Sequence, residues 1–313
     1  MFNFSNRAGV ARSYLLAVTV IGLLPIAACN KQESPAARSG PRTFASPEDA
    51  GKALASAAKA EDSQAIQQIF GPGSGDILSS GDATEDKASL DGFAQAYQVM
   101  NRWRKLGDGS ELLLIGADNQ AFPAPLMKNA SGQWYFDTAS GKEEIIARRI
   151  GNDELAAIDI TAAIANAQQQ YFSQRHEYAE KFISDEGKQN GLYWPTPSGQ
   201  PQSPLGPLVA YATAEGYKVQ QSRHQPYYGY YFALLDEQGS DAKGGAKNYI
   251  VNGKMTGGFG VVAYPAQYGD SGIMTFIINR NGVVYQKDLG KNTNDVASSM
   301  TEFNPDKSWS VVQ

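Results

Sequence analysis

The feature that most constrains this chain is a scarcity: its 313 residues include one cysteine, Cys29. A single thiol closes no disulfide within the chain and builds no multi-thiolate metal site. The folded body must therefore rest on packed apolar cores. Tyrosine, phenylalanine and glycine are plentiful, which suits extended strands and tight turns in the second half. The charge balance is acidic, 27 Lys and Arg against 32 Asp and Glu. An acidic body argues against a nucleic-acid partner and against electrostatic adhesion to anionic lipid.

Residues ahead of Cys29 divide into three parts. Arg7 and Arg12 open the segment with no acidic companion. Tyr14 to Ile26 is apolar, broken only by Thr19, Gly22 and Pro25, and Ala27-Ala28 are small. This is the layout of a secretory signal, with an apolar run shorter than the roughly 20 residues of a transmembrane helix. Ile26-Ala27-Ala28-Cys29 resembles the bacterial lipobox. That resemblance implies acylation of the Cys29 sulfur, cleavage before it, and acylation of the new amino terminus. Two or more acyl chains hold a protein stably where one holds marginally. The expected location is the cell envelope, periplasm-facing and anchored to a membrane by lipid. Asn30, next in sequence, favours the outer membrane over the inner.

Asn30 to Arg42 is rich in Ser, Pro, Ala and charge without an apolar period, and reads as a tether. The expected organisation is a signal peptide (1–28), a tether (29–43), an N-terminal α+β domain (44–140) and a C-terminal α+β domain (141–313). Ser46 caps a first helix with Pro47 in its first turn. A second helix lies near Asp62–Phe70, stopped by Gly71-Pro72-Gly73. Gly73–Glu85 reads as a loop and Leu90–Arg104 as a third helix. Strands are expected at Glu111–Ile115, Phe122–Lys128 and Gln133–Asp137, the last two forming a hairpin about Asn129–Gly132. This first domain looks somewhat like the cone-shaped fold of the nuclear-transport-factor and ketosteroid-isomerase type.

Gly141 to Gln174 is the longest helical stretch, breaking at Gly151-Asn152-Asp153 or running through it. A short helix near Pro207–Glu215 follows. Strands are then expected at Tyr228–Asp236, Phe259–Pro265, Gly272–Asn279 and Val283–Asp288. Asn279-Arg280-Asn281-Gly282 is the clearest hairpin turn. The expected class is α+β: N-terminal helices plus an antiparallel meander, then a long helix packed on an antiparallel sheet.

Several segments together resemble a bacterial family catalogued as a domain of unknown function, number 2950. They include Asn152-Asp153-Glu154-Leu155, Gly191-Leu192-Tyr193-Trp194-Pro195, Pro226-Tyr227-Tyr228-Gly229-Tyr230-Tyr231-Phe232 and Tyr268-Gly269-Asp270-Ser271-Gly272. The likeness runs from the first helix to about Leu289. It implies an exported bacterial protein and carries no activity. The helix beginning Asn152-Asp153-Glu154, followed by a Gly-Tyr-Tyr-Phe strand, also looks like the globular part of type IV pilins. The apolar amino-terminal helix that builds pilin filaments is missing, so the resemblance implies fold and not assembly.

No catalytic constellation stands out. Neither histidine, His176 or His224, reads as a metal ligand: Glu180 alone stands at helical spacing from His176, and no His, Asp or Glu does from His224. No nucleophile elbow, Walker loop or dinucleotide fingerprint is present. Gly253-Lys254-Met255-Thr256-Gly257-Gly258 reads as a turn between strands rather than a phosphate loop. Asp108-Gly109 and Asp236–Asp241 cluster oxygens without the spacing of a calcium loop. Asp153, Glu154 and Asp159 read as partners of a helix dipole. No cofactor, metal ligand or catalytic residue is expected.

The aromatic group carries the functional expectation. Trp194, Tyr227, Tyr228, Tyr230 and Tyr268 lie near Gly and Pro and are candidates for binding an envelope protein or a glycan, because exposed tyrosines bury much area at small entropic cost. The expectation is a non-enzymatic binding module. The alternative is a small-ligand enzyme or hydrolase using a pocket in the N-terminal domain, with Asp137 or Glu111 as acid or base.

Overall fold

Capping chemistry sets the first helices. Ser46 accepts a hydrogen bond from the Asp49 amide at 3.1 Å, and Pro47 opens α1 (Pro47–Lys59). Its buried face holds Ala50, Leu54, Ala57 and Ala58. Asp62 caps α2 (Ser63–Phe70), which buries Ile66 and Ile69 and stops at Gly71 with φ 84°. The computed structural model describes residues 40–219 and 225–312. Cys29, the signal, most of the tether and His224 lie outside the described residues. All described residues belong to one unit, Arg38–Gln313.

The stretch expected to be a loop after α2 contains one short helical turn, α3 (Gly75–Leu78), and the start of α4 (Ala83–Val99). Asp82 begins that helix by accepting the Thr84 and Glu85 amides at 3.1 and 3.3 Å. The helix also ends sooner than its apolar period suggests. Met100 is extended, and the Gly116 amide bonds to the Ala96 and Met100 carbonyls at 3.1 and 3.0 Å. Residues 101–104, expected to be helical, instead belong to β1 (Asn101–Lys105). This strand pairs along its whole length with β2 (Glu111–Ile115). Five ladder positions outweigh one more helical turn.

The first sheet continues with β3 (Gln120–Ala121), β4 (Leu126–Lys128) and β5 (Trp134–Phe136), in the order β1-β2-β4-β5 with β3 on β2. Phe122–Lys128 is not one strand, since Pro123 and Pro125 lack the N–H a ladder needs. The hairpin at Asn129–Gly132 forms as expected, the Gly132 amide bonding to the Asn129 carbonyl at 2.9 Å. The core of this half lies between the sheet, α1 and α2, around Phe70, Leu126 and Phe136.

Helix α5 (Thr138–Arg175) runs unbroken for 38 residues, through Gly151-Asn152-Asp153. It begins at Asp137 and ends where His176 turns left-handed, φ 58°. Helix α6 (Gly206–Ala214) precedes the second sheet. The remaining elements are β6 (Tyr230–Leu235), β7 (Glu237–Gln238), β8 (Lys247–Asn248), β9 (Ile250–Val251), β10 (Lys254–Met255), β11 (Gly260–Pro265), β12 (Met274–Asn279), β13 (Tyr285–Asp288), α7 (Thr293–Ser298), β14 (Glu302–Phe303) and β15 (Ser310–Val311). The main sheet has the order β15-β13-β12-β11-β6 and is antiparallel throughout. A small sheet β14-β7-β8 and the hairpin β9–β10 flank it. Ala157, Ile160, Ile164 and Tyr171 turn the α5 face that packs on β11 and β12. The chain is α+β. Among the described residues no helix is long and apolar enough to cross a membrane.

Candidate functional site

Strand β6 is an edge of the main sheet, bonded to β11 on one side. Its backbone groups alternate in direction. Tyr230 points away from β11, since it exchanges bonds with Tyr227 (2.8 and 3.3 Å) and faces Pro265, which has no N–H to offer. Asp236 also points away, its amide bonding to the Thr301 carbonyl at 3.1 Å. The positions between them in phase are Phe232 and Leu234. Their outward N–H and C=O groups have no partner among the described residues.

A groove of about 940 Å³ runs along this open edge. Leu208 and Val209 of α6 line it together with Phe232 and Leu234, and Lys181, Asp185 and Lys218 add charge. Ile183 and Tyr193 border it, and Tyr217 and Tyr227 close one side. The Tyr217 and Tyr227 rings meet edge to face at 4.6 Å, and Tyr228 tilts against Tyr227 at 4.8 Å. The Tyr227 hydroxyl is buried without a hydrogen-bond partner.

The five aromatic candidates do not form one surface. Tyr227 lines the groove, and Tyr228 packs beside it with φ 47°, its hydroxyl donating to Glu215. Trp194 is half-buried and packs against the core shared by α5 and the sheet. Tyr268 sits on another turn, donating to Asp288 at 3.2 Å. Tyr230 is a correction: it is fully buried, with its hydroxyl donating to the Met274 carbonyl at 2.9 Å. Strand alternation sends Tyr230 into the core under Gly272, where a Cβ would lie 2.1 Å from its hydroxyl oxygen.

The N-terminal candidates lie on different elements and do not line this groove. Asp137 caps α5, accepting from the Ser140 amide at 3.2 Å and its hydroxyl at 2.5 Å. It borders a smaller hollow of about 340 Å³ with Phe70 and Lys142. Glu111 lies on β2 opposite Lys105.

Behind the tyrosine wall is a cluster that sequence reasoning missed. The Tyr217 hydroxyl donates to Asp82 Oδ2 at 2.9 Å, and the Gly229 amide approaches the same oxygen at 3.3 Å. Asp82 is 3% exposed and Asp153, on α5, is 1% exposed. Neither Asp153 oxygen has a donor, nor has the buried Oε2 of Glu85. Burial pushes all three carboxyls above their ordinary range, and the facing Glu85 adds to the shift at Asp153. A signal did exist. Asp82-Ala83-Thr84-Glu85 has the spacing of a capping box, which would have located the start of α4. Here the Asp82 amide is taken by the Ser80 hydroxyl at 3.1 Å, and the Glu85 carboxyl turns to Asp153 instead.

Among the described residues, no group of three or more His, Cys, Asp or Glu side chains has the arrangement to hold a metal ion. No protein of curated function matches the chain. Residues 41–312 match the family described as "Protein of unknown function (DUF2950)", and that span, nearly all of the folded chain, places this protein in the family.

Proposed function

We propose that this protein is a non-enzymatic binding module of the bacterial cell envelope, exported and held to a membrane by lipid on Cys29. Its groove takes an extended polypeptide that adds a strand to β6. The observation that carries this reading is the pair of outward peptide groups at Phe232 and Leu234, on the floor of a groove lined by both apolar and polar side chains. Strand addition satisfies those groups directly, while the groove walls read alternate side chains of the incoming segment. Tyr227 and Tyr193 supply rigid contact area at the rim.

Peptides selected from a displayed library against the full chain test it. Bound peptide should slow hydrogen exchange at the Phe232 and Leu234 amides. Leu234→Pro should weaken binding at least tenfold while the fold survives, because the amide it removes faces away from β11. Peptides that bind without protecting those two amides, or a library that yields no binder, would overturn the reading. For the anchor, Cys29→Ser should release the protein from the membrane fraction, and metabolic palmitate labelling should vanish with it. Unchanged fractionation would remove the anchor from the proposal.

A further inference from the structure

Asp153 on α5 faces the Glu85 carboxyl of α4, and the buried oxygens of the pair have no donor among the described residues. Asp153 is 1% exposed and both its oxygens lack a donor; Glu85 presents a buried oxygen in the same condition. Two carboxylates are acceptors only, so a hydrogen bond between them requires that one be protonated. The neighbouring groups among the described residues are committed elsewhere. From α4, Asp82 spends its oxygens on the Tyr217 hydroxyl and on the Thr84, Glu85 and Gly229 amides, and Asp86 accepts the Ser80 amide. From α5, Arg149 is the nearby cation. Its guanidinium donates to the carbonyls of Asp76 (3.0 Å), Ile77 (2.7 Å) and Ser79 (3.4 Å). Glu154, one residue beyond Asp153, accepts the Ile273 and Met274 amides at 2.9 and 3.0 Å. From the strands and turns come the Tyr230 hydroxyl, committed to Met274, and the half-buried Asp270, a further negative charge. Gly229 seals the remaining side: a Cβ there would lie 2.5 Å from Asp153 Oδ2.

We propose that Asp153 and Glu85 bind one proton between them in the folded protein, making the junction of α4 and α5 a proton-binding site that loosens as its surroundings become alkaline. Folding then takes up a proton, because in the unfolded chain both groups ionise in the ordinary carboxylate range, at about pH 4. The sign follows from linkage. The folded state holds more protons than the unfolded one, so stability falls as pH rises. The loss begins above the unfolded values and continues until the shared proton leaves. The direction of the shifts at Asp153 and Glu85 agrees with this. One extra proton amounts to about tenfold in the folding equilibrium per pH unit. The proposal stands apart from strand addition at β6 and survives if that fails.

The test is urea unfolding of the full chain in detergent from pH 6 to 9, for wild type, Asp153→Asn and Glu85→Gln. Each amide can donate to the remaining carboxylate without a bound proton. The wild-type folding constant should fall about tenfold more per pH unit than that of either variant. Infrared spectra at pH 8 should show the carbonyl stretch of a protonated carboxylic acid in wild type, absent from Asp153→Asn. This band decides the matter even where a variant folds poorly. Equal slopes in all three proteins, or no such band, would overturn the proposal. So would stability at pH 8 that EDTA removes and calcium restores, since the occupant would then be a cation.

Discussion

Gly229 shows how much one residue can hold. With φ 65° it lies in the left-handed region, and its carbonyl accepts the Ser271 hydroxyl at 2.8 Å. A methyl group would meet Asp153 Oδ2 at 2.5 Å and Ser271 Cβ at 2.8 Å. Gly229→Ala is therefore expected to cost about 2 kcal/mol or more, from backbone strain and from disturbance of the carboxyl contact, read as a shifted urea midpoint at constant slope. Single residues were legible where local chemistry decides them. Ser46, Asp62 and the turn glycines at 71, 132 and 282 behave as their types require. The tyrosines were not legible in the same way. Tyr227 and Tyr230 are three positions apart, yet one lines a groove and the other fills the core. Sheet pairing and a close glycine make that distinction, and neither is local in sequence.

At the scale of elements, α5 answers a question its sequence left open. Gly151 and Asn152 are exposed, Asp153 is buried, and the helix continues because both of its halves are held by packing. A methyl group on Gly151 would meet no atom within 4 Å, so the residue has no steric reason to be glycine. Gly151→Ala is expected to stabilise the protein by about 0.5–1 kcal/mol, seen as a raised thermal midpoint. Failure to stabilise would mean the helix needs its weak point. The long helix and the antiparallel strands were legible from period and turn residues. Helix α4 and strand β1 were displaced because the exit at Met100 is fixed by Gly116, which is distant in sequence. The two-residue pairs of β7, β8 and β14 lack the length to show any period. The groove was illegible for a related reason: it lies between α6 and an edge that only the sheet order reveals.

For the whole molecule, stability rests on apolar packing rather than on ion pairs. The ion pairs among the described residues, such as Lys87–Glu61, Lys142–Asp76 and Arg148–Glu144, join exposed or partly exposed side chains, and none is buried. Pairs of this kind contribute about 0–1 kcal/mol each and are screened by salt. Raising the salt from about 0.05 to about 0.5 M should change the unfolding free energy by less than about 1 kcal/mol. A larger loss would show that surface charge carries more of the fold than its geometry implies. The length of α5 has a consequence for inheritance. At 1.5 Å per residue it spans about 57 Å. Its early turns are fastened to the first sheet by Gly141 against Ala124 and Arg148 on the Ala121 carbonyl, and its later turns lie under the second. Neither half is a portable cassette. A gene that kept one sheet without the other would encode a strut with a bare flank, so relatives are expected to carry both or neither.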